Sequence, residues 1–256
     1  MAPVRVPGGY MRQTRPMALL FRFRRRRSRK PHRRWLRRLV GLALLLLLLD
    51  ALYLAWRWPD WSTLTYRRLT PSRFMQQYEA RRRQQPALPP LRWEPVPLRR
   101  IPRSMRRAVI VAEDARFYLH HGIDWQAVLD AARTNWESGR VRYGASTLSQ
   151  QTVKNLYLDG GRNPLRKWHE LILTLGIEAN LDKARILETY LNIAEFGPGI
   201  YGVEAAARHY WGIRAADLDA WQAARLAASL PSPRKRNPDT ATPRFLRHAR
   251  RIYRRM

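Results

Sequence analysis

One run of twenty residues, Leu39 to Trp58, constrains this chain more than any other stretch. It consists mostly of leucine, and Asp50 is its single acidic residue. A helix of that length spans the hydrocarbon core of a bilayer, so the run predicts one transmembrane helix at 39–58. A cleaved signal peptide is the competing interpretation, and it is disfavoured because no small-x-small cleavage site precedes the tryptophans.

Basic residues dominate the N-terminal side of this run. Residues 1–38 contain 14 Lys and Arg and no acidic residue. The positive-inside rule therefore predicts a basic cytoplasmic segment at 1–38 and the bulk of the chain across the membrane. Trp56, Trp58 and Trp61 are expected to form the aromatic belt on the far side.

The charge of the whole chain indicates an anionic partner. The formal net charge is +30, and +16 remains without the 14 basic residues of the N-terminal segment. Nucleic acid, phospholipid and a phosphorylated substrate all fit such a charge. The sequence contains no cysteine, which excludes disulfides and thiolate metal sites.

Two further regions follow the apolar run. Residues 59–100 contain several prolines and the basic triplet Arg81–Arg83, which is typical of a juxtamembrane stalk and an extended strap. Residues 101–256 show helical spacing and are long enough to fold as one domain. No convincing set of strands is visible, so the core is predicted to be mainly α.

Capping residues predict several helix boundaries within this domain. Asp124 is expected to cap a helix that runs to Ser138 and is closed by Gly139. Ser146 is expected to cap the helix that carries Gln150 and Gln151.

A second group of helices follows. Asn163-Pro164 should open a helix. Its buried stripe is predicted to be Trp168, Leu171, Ile172 and Leu175. A further helix is expected from Asp182 to Glu195, and three more from Gly202 to Met256.

The stretch Glu113 to Asp124, EDARFYLHHGID, follows an apolar-periodic run that predicts a helix with one buried face. Glu113 and Asp114 come where that face ends. A carboxylate at this position meets the negative end of the helix dipole, and partial desolvation would hold its proton more tightly. It can then act as a general base near neutral pH, whereas a solvated acidic pair is the structural alternative.

Five motifs in order carry a resemblance to a known family. They are EDARFYLHHGID (113–124), GASTLSQQ (144–151), RKWHE (166–170), ILETYLNIAEFG (186–197) and ARLAASLPSP (224–233) with Asn237-Pro238. In this order and spacing they resemble the motifs of the peptidoglycan glycosyltransferases, glycosyltransferase family 51. The resemblance covers roughly residues 90–240.

The resemblance implies a mainly α, lysozyme-like glycosyltransferase domain behind one N-terminal transmembrane helix. It also implies polymerisation of lipid II through β-1,4 bonds, with inversion and release of undecaprenyl pyrophosphate. The sequence ends soon after the fifth motif, and no Ser-x-x-Lys site follows. The chain is therefore expected to resemble the monofunctional members, without transpeptidase activity.

The same resemblance implies two catalytic carboxylates. Glu113 is expected to be the base. Glu170 would either bind a divalent cation, Mg or Mn, on the substrate pyrophosphate or orient Arg166 and Lys167. An ordinary salt bridge between Glu170 and Arg166, four residues apart, is the alternative. No cofactor is expected to be required.

Six further residues are expected to bind substrate. Lys167 and Arg166 would hold the pyrophosphate, or form only a surface charge pair. Neutral hydrogen-bonding groups and one acid complete the set: Ser146, Gln150, Gln151 and Asp114.

Two clusters of polar residues are given structural roles. His120, His121 and Asp124 could suggest a metal site, but adjacent histidines do not share one helical face, so a turn is preferred and no metal site is predicted. A set on one later helix is expected to support the Glu113 loop: Glu188, Asn192 and Glu195.

The partners expected from this interpretation are the membrane, lipid II, the growing glycan strand, and a separate transpeptidase or division protein. No nucleic acid is expected. The protein should be single-pass in the inner membrane, with its catalytic domain in the periplasm. A lysozyme-like glycan-cleaving enzyme and a basic membrane-tethered binding protein are the two alternatives.

Overall fold

The computed structural model describes residues 1–3, 32–66, 69–139, 144–161 and 163–256. Most of the predicted cytoplasmic segment, 1–38, therefore lies outside the described residues. The chain forms two compact units, Met1–Trp56 and Arg57–Met256.

The first unit contains one long helix, α1 (His32–Trp56). Its portion Trp35–Trp56 is long and apolar enough to cross a membrane, by length and composition. The helix begins before the predicted start at Leu39 and ends two residues before Trp58. It fits a membrane anchor.

The second unit is mainly helical, as predicted, in the part of the chain that is described. Its helices are α2 (Ser62–Tyr66), α3 (Arg73–Gln84), α4 (Arg103–Glu113), α5 (Trp125–Ser138), α6 (Leu148–Tyr157), α7 (Pro164–Asn180), α8 (Lys183–Ile193), α9 (Val203–Trp211), α10 (Ala220–Ser229) and α11 (Pro243–Tyr253). In the core, α10 packs on α4 and α11, while α6 packs on α7 and α8.

A small sheet accompanies the helices, which the sequence did not predict. It comprises β1 (Arg92–Trp93), β2 (Glu195–Gly197) and β3 (Ile200–Tyr201). The order is β1-β3-β2, with β1 parallel and β2 antiparallel to β3. Strands of two or three residues are too short to show an alternating pattern.

Most of the predicted helix boundaries are confirmed. Asp124 caps α5 by accepting a hydrogen bond from Ala127 N at 2.9 Å, and Gly139 closes that helix in the left-handed conformation with φ 59°. Asn163 caps α7, whose first residue is Pro164.

The predicted cap of α6 is wrong by one residue. Thr147, not Ser146, is the N-cap. Thr147 Oγ1 accepts from Gln150 N at 3.2 Å, and Gln150 Oε1 accepts from Thr147 N at 3.1 Å. This capping box needs Gln or Glu three residues after the cap, and only Thr147 has that spacing.

The buried face of α7 also differs from the prediction. Trp168 and Leu175 of the predicted stripe are 47% and 55% exposed, and Leu171 and Ile172 are only partly buried. The other side of α7 packs against α6 and α8 through a set that includes polar residues: His169, Glu170, Leu173, Thr174, Gly176 and Ile177. The spacing of apolar residues locates an apolar face of the helix, but it does not show whether that face is buried in the core or exposed.

Residues 59–100 pack largely into the second unit. Trp61 is 6% exposed, so its predicted place in an aromatic belt is wrong. Its ring packs against the Tyr157 ring in a T-shaped arrangement, with 5.7 Å between the ring centroids. It also fills a slot at Gly176, where a Cβ atom would lie 2.6 Å from Trp61 Cζ2. Met75 and Tyr78 of α3 are buried as well.

The strap, residues 85–98, is fixed to α8 by side chains that were predicted to support the Glu113 loop. Asn192 Oδ1 accepts from Val96 N at 2.8 Å, and Asn192 Nδ2 donates to Val96 O at 2.9 Å. Glu188 Oε2 accepts from Leu98 N at 2.7 Å. The expected role of Glu188 and Asn192 is therefore corrected: they hold the strap.

Glu195 also has a different partner from the predicted one. Its Oε1 accepts from Arg234 Nε at 2.9 Å. Glu195 thus links β2 to the loop after α10.

Candidate active site

Glu113 is the last residue of α4 and is partly buried beside α6. Its Oε2 accepts a hydrogen bond from Gln151 Nε2 at 2.9 Å. Burial raises the pKa of Glu113 above its ordinary value of 4.5, while the Gln151 hydrogen bond and the charge of Lys154 lower it. A desolvated carboxylate holds a proton more tightly than a solvated one and can therefore act as a general base.

Asp114 is 7% exposed and fixes the chain that follows Glu113. Its two carboxylate oxygens each lie 3.0 Å from His120 Nε2, and Oδ2 also accepts from Leu148 N at 2.9 Å. His120 Nδ1 accepts from Gly122 N at 3.2 Å, so Nε2 is the ring nitrogen that faces Asp114. Asp114 therefore ties the end of α4 to the start of α6.

A second carboxylate, Glu170, lies on the buried face of α7 and is 3% exposed. Arg166 Nη1 donates to its Oε2 at 2.7 Å, and Lys167 Nζ donates to its Oε1 at 2.5 Å. Lys167 Nζ also lies 3.4 Å from Ser146 Oγ. The predicted residues of the second and third motifs are thus brought together.

Lys154 was not predicted as a site residue, yet its positive charge acts on both carboxylates, Glu113 and Glu170. It lies on α6, one helical turn after Gln150, and interacts electrostatically with both Glu113 and Glu170. Burial lowers the pKa of Lys154, and both carboxylates act in the opposite direction. Its spacing from Gln150 and Gln151 was the only sequence signal for this role.

A cleft of about 530 Å³ opens beside Glu113 and Asp114. Residues of α4, α5 and the start of the α6 segment line it, including Gly144 and Ser146. Gln150 is 3% exposed and is engaged in the capping box of its own helix, so it is less accessible than the other predicted binding residues.

Asp114, His120 and Asp124 form a cluster whose donor atoms lie within 4.8 Å of one another. Each side chain has a protein partner. Asp114 is hydrogen-bonded to His120, and Asp124 accepts hydrogen bonds from Arg116 Nε at 2.9 Å and Arg116 Nη2 at 2.7 Å. A guanidinium on Asp124 opposes a metal ion at the same oxygens. The arrangement is that of a hydrogen-bonded turn.

Comparison with known proteins places the chain in a family. A family model described as Transglycosylase matches residues 85–256, more than half of the chain. A biosynthetic peptidoglycan transglycosylase of Laribacter hongkongensis is 39% identical over 228 residues, which cover 87% of this chain and 96% of the relative. The relative of the same name from Bordetella pertussis is 43% identical over 204 residues, covering 78% and 84%.

A third relative with that name, from Aeromonas hydrophila, is 57% identical over 138 residues, covering 54% of this chain and 58% of the relative. The family match spans α4 to α11 and therefore includes Glu113, Lys154 and Glu170. The chain belongs to the transglycosylase family, and it is a glycosyltransferase with the lysozyme-like helical fold of that family.

Proposed function

We propose that the chain is a peptidoglycan glycan-chain polymerase, which joins the disaccharide-pentapeptide units of lipid II through β-1,4 bonds. The observation that carries this proposal is the pairing of a desolvated carboxylate, Glu113, with a cationic cluster around Glu170. A base and a pyrophosphate clamp are the two parts that such a transfer needs. The names of the relatives agree with a peptidoglycan substrate.

The reaction is a single displacement. Glu113 removes the proton from the 4-hydroxyl group of the acceptor sugar, and that oxygen forms a bond to C1 of the donor sugar. The bond from C1 to the pyrophosphate oxygen breaks, and its electron pair leaves with undecaprenyl pyrophosphate. Attack from the opposite face converts the α-linked donor into a β-1,4 bond, with inversion.

The cations stabilise the charge that develops on the leaving group. The three cations are Lys154, Arg166 and Lys167. Lys167 is the most exposed of them, with 42% of its side chain accessible, so it is best placed to contact the pyrophosphate. Arg166 and Lys154 add positive charge in a partly buried setting, where electrostatic stabilisation is stronger than in water. Each fixed charge of this type typically contributes about 10²–10³ in rate.

Glu170 acts by orienting this clamp. Both its oxygens already accept hydrogen bonds from Arg166 and Lys167, so a divalent cation there would have to displace one of them. This donor set does not fit Mg or Mn at Glu170. The proposed reaction therefore relies on the protein's own cations.

The remaining predicted residues position substrate or supporting groups. Ser146 is exposed at the cleft beside Lys167 and can hydrogen-bond a sugar or phosphate oxygen. Gln151 orients Glu113, and Asp114 fixes the loop behind it. For Gln150 the proposed contribution is to cap α6 and thereby hold Gln151 in place.

An exposed apolar surface supports a lipid-linked substrate. No residue of α5 is buried, although the helix carries large apolar side chains. Trp125, Leu129 and Trp136 are 68%, 64% and 89% exposed. Leu119, Trp125 and Leu175 line one shared depression, which joins the start of α5 to the outer face of α7. We propose that this surface, with Trp168, contacts the membrane and meets the lipid tail of the substrate.

The location follows from the anchor and from the substrate. The N-terminus is proposed to be cytoplasmic because of the basic segment, and the catalytic unit to be periplasmic at the inner membrane. We further propose that crosslinking is carried out by a separate transpeptidase or division protein in the same membrane. Pull-downs from detergent extracts should recover such a protein.

Polymerisation of labelled lipid II in detergent tests the function. The wild type should form polymer, and a folded Glu113→Gln variant should form none, because Gln keeps the size of Glu but cannot accept the proton. Glu137→Gln, which removes an exposed carboxylate of α5, is the matched control and should keep its activity.

Two other outcomes would change the interpretation. Polymer from Glu113→Gln would move the base elsewhere, with Glu170 examined next. Shortening of isolated sacculi, with no lengthening of lipid II, would replace polymerisation by glycan cleavage.

A further inference from the structure

Tyr190 lies in the last turn of α8 and is 1% exposed. Its hydroxyl lies 3.1 Å from Gln151 Oε1, within hydrogen-bond distance. Burial raises the pKa of Tyr190 well above its ordinary value of 10.0, so the phenol stays protonated and donates this hydrogen bond. A buried donor from α8 is therefore aimed at one atom of a side chain on α6.

The other end of the same amide contacts the proposed base. Gln151 Nε2 donates to Glu113 Oε2 at 2.9 Å. Oε1 and Nε2 of a glutamine are similar in shape, so only their partners decide which of them faces a neighbour. If the amide were reversed, Oε1 would face a carboxylate oxygen, and two acceptors would repel each other.

We propose that Tyr190 is a positioning residue: its hydroxyl fixes the orientation of the Gln151 amide so that Nε2 always faces Glu113. The proposal rests on the proposed function only in taking Glu113 as the base. It assigns to Tyr190 no contact with the substrate. The chain of contacts runs from the core of α8, through α6, to the end of α4.

This arrangement gives the two carboxylate oxygens of Glu113 different roles. Oε2 is held by the amide, and Oε1 is left to receive the proton of the acceptor hydroxyl. The other charged or titratable groups that act on Glu113 are Lys154 of α6, Asp114 next to it, and Tyr190 itself. Of these, Tyr190 acts through two hydrogen bonds, from Tyr190 to Gln151 and from Gln151 to Glu113. A substitution can remove the first bond without changing the charge of the protein.

Tyr190→Phe removes one oxygen atom and keeps the ring that packs in the core. Without its donor, Gln151 loses its preferred orientation, and the hydrogen bond that stabilises ionised Glu113 weakens. The pKa of Glu113 should then rise, because a hydrogen bond to the charged form lowers the pKa. The acid limb of the kcat/KM profile should move to higher pH, and activity should recover at pH values well above that limb.

Tyr210→Phe is the matched control. Its hydroxyl donates to the backbone oxygen Phe196 O at 3.0 Å, a partly buried phenol hydrogen bond that does not involve Gln151. This variant should leave the acid limb in place. An equal shift in both variants would overturn the proposal, since it would mean that any lost phenol bond has this effect.

The titration of Glu113 is to be measured independently of turnover as well. Carbon-13 NMR of Glu-labelled full-length protein in detergent, with the signal assigned by Glu113→Gln, reports that pKa whether or not lipid II is polymerised. An unchanged pKa in folded Tyr190→Phe would sink the proposal. An inactive wild type with a shifted titration in Tyr190→Phe would instead count against the proposed function alone.

A second variant covers the case in which Tyr190→Phe does not fold. Gln151→Met removes both hydrogen bonds and should raise the pKa of Glu113 at least as far. Where both single variants fold, adding Tyr190→Phe to Gln151→Met should give no further shift, because the two residues act in series. Additive shifts would refute the relay through Gln151.

Discussion

Lys167 and Glu170 are joined at 2.5 Å between Nζ and Oε1, although 42% of the lysine side chain is exposed and only 4% of the glutamate. The buried carboxylate thus holds a lysine whose side chain remains partly exposed to solvent. Such a pair can orient the cation before substrate arrives, which avoids reorganisation during the reaction.

Replacing Lys167 with Gln should lower kcat by about 10²–10³, because in the proposed reaction it removes a fixed charge that stabilises the leaving pyrophosphate. The assay is polymerisation of lipid II at saturating substrate. Lys235, an exposed lysine after α10, serves as control, and Lys235→Gln should retain most of the activity. Similar losses in both variants would indicate a general effect of charge.

The Arg166–Glu170 pair should stabilise the fold more than a surface pair of identical spacing. Arg133–Glu137 is also four residues apart, but its side chains are 82% and 61% exposed, against 16% and 4% for Arg166 and Glu170. Arg166→Gln should cost about 3 kcal/mol, because it leaves a buried carboxylate with one partner fewer. Arg133→Gln should cost about 0.3–0.5 kcal/mol.

Urea unfolding of these two variants in the same detergent measures the difference. Equal losses of stability would show that the Glu170 site is as well solvated as the helix surface.

Glu113→Gln should stabilise the protein at neutral pH while abolishing its activity. The pKa of Glu113 is raised by burial, so protonation favours the folded state, and stability is lost as the pH rises through the folded pKa. A neutral Gln removes this penalty, by about 1.4 kcal/mol for each pH unit of the shift.

The check is the Tm of wild type and Glu113→Gln at pH 7.5 and pH 4. The gain should be present at pH 7.5 and should shrink at pH 4, where Glu113 is increasingly protonated. A gain that is equal at both values would point to a cause other than ionisation.

Gly176→Ala should destabilise the fold, although alanine is the better helix former by about 1 kcal/mol. An added Cβ would lie 2.6 Å from Trp61 Cζ2 and 3.0 Å from Trp58 Cζ2. Overpacking of this kind costs about 1–3 kcal/mol. At Gly160, by contrast, an added Cβ meets nothing within 4 Å, so Gly160→Ala should change stability by less than about 0.5 kcal/mol.

Thermal unfolding of the two glycine variants decides the matter. A neutral Gly176→Ala would mean that the Trp61 slot can open without loss.

Substituting Trp125 and Trp136 with Ser should weaken the use of lipid II in bilayers without unfolding the protein. Both rings are largely exposed, so stability should change by less than about 0.5 kcal/mol for each. The loss should appear as a higher KM for lipid II in proteoliposomes and a smaller one in detergent. An unchanged KM in both would remove the proposed membrane contact of α5.

Local signals in the sequence predicted the helices better than their surroundings. Asp124, Gly139 and Asn163-Pro164 act through contacts within a few residues, and the structure confirms their roles as helix ends. The α6 cap was missed by one residue because Ser146 and Thr147 both have capping side chains, and the box with Gln150 favours the second.

Contacts between distant segments could not be predicted in the same way. Asn192 lies on the polar face of α8, but nothing local indicates that it binds Val96, 96 residues earlier. The outer stripe of α7 was assigned to the core because an exposed apolar stripe has the same periodicity as a buried one. Lys154 and Tyr190 acquire their relation to Glu113 only when α4, α6 and α8 pack together.

The parallel pairing of β1 with β3 has a consequence for how the chain reaches its native state during synthesis. Arg92 pairs with Ile200, so β1 has no strand partner until more than a hundred further residues have been synthesised. Contacts this far apart in sequence form slowly. We therefore expect the strap to join the domain late. Until β3 is available to pair with β1, the helices that precede it should be only partly ordered.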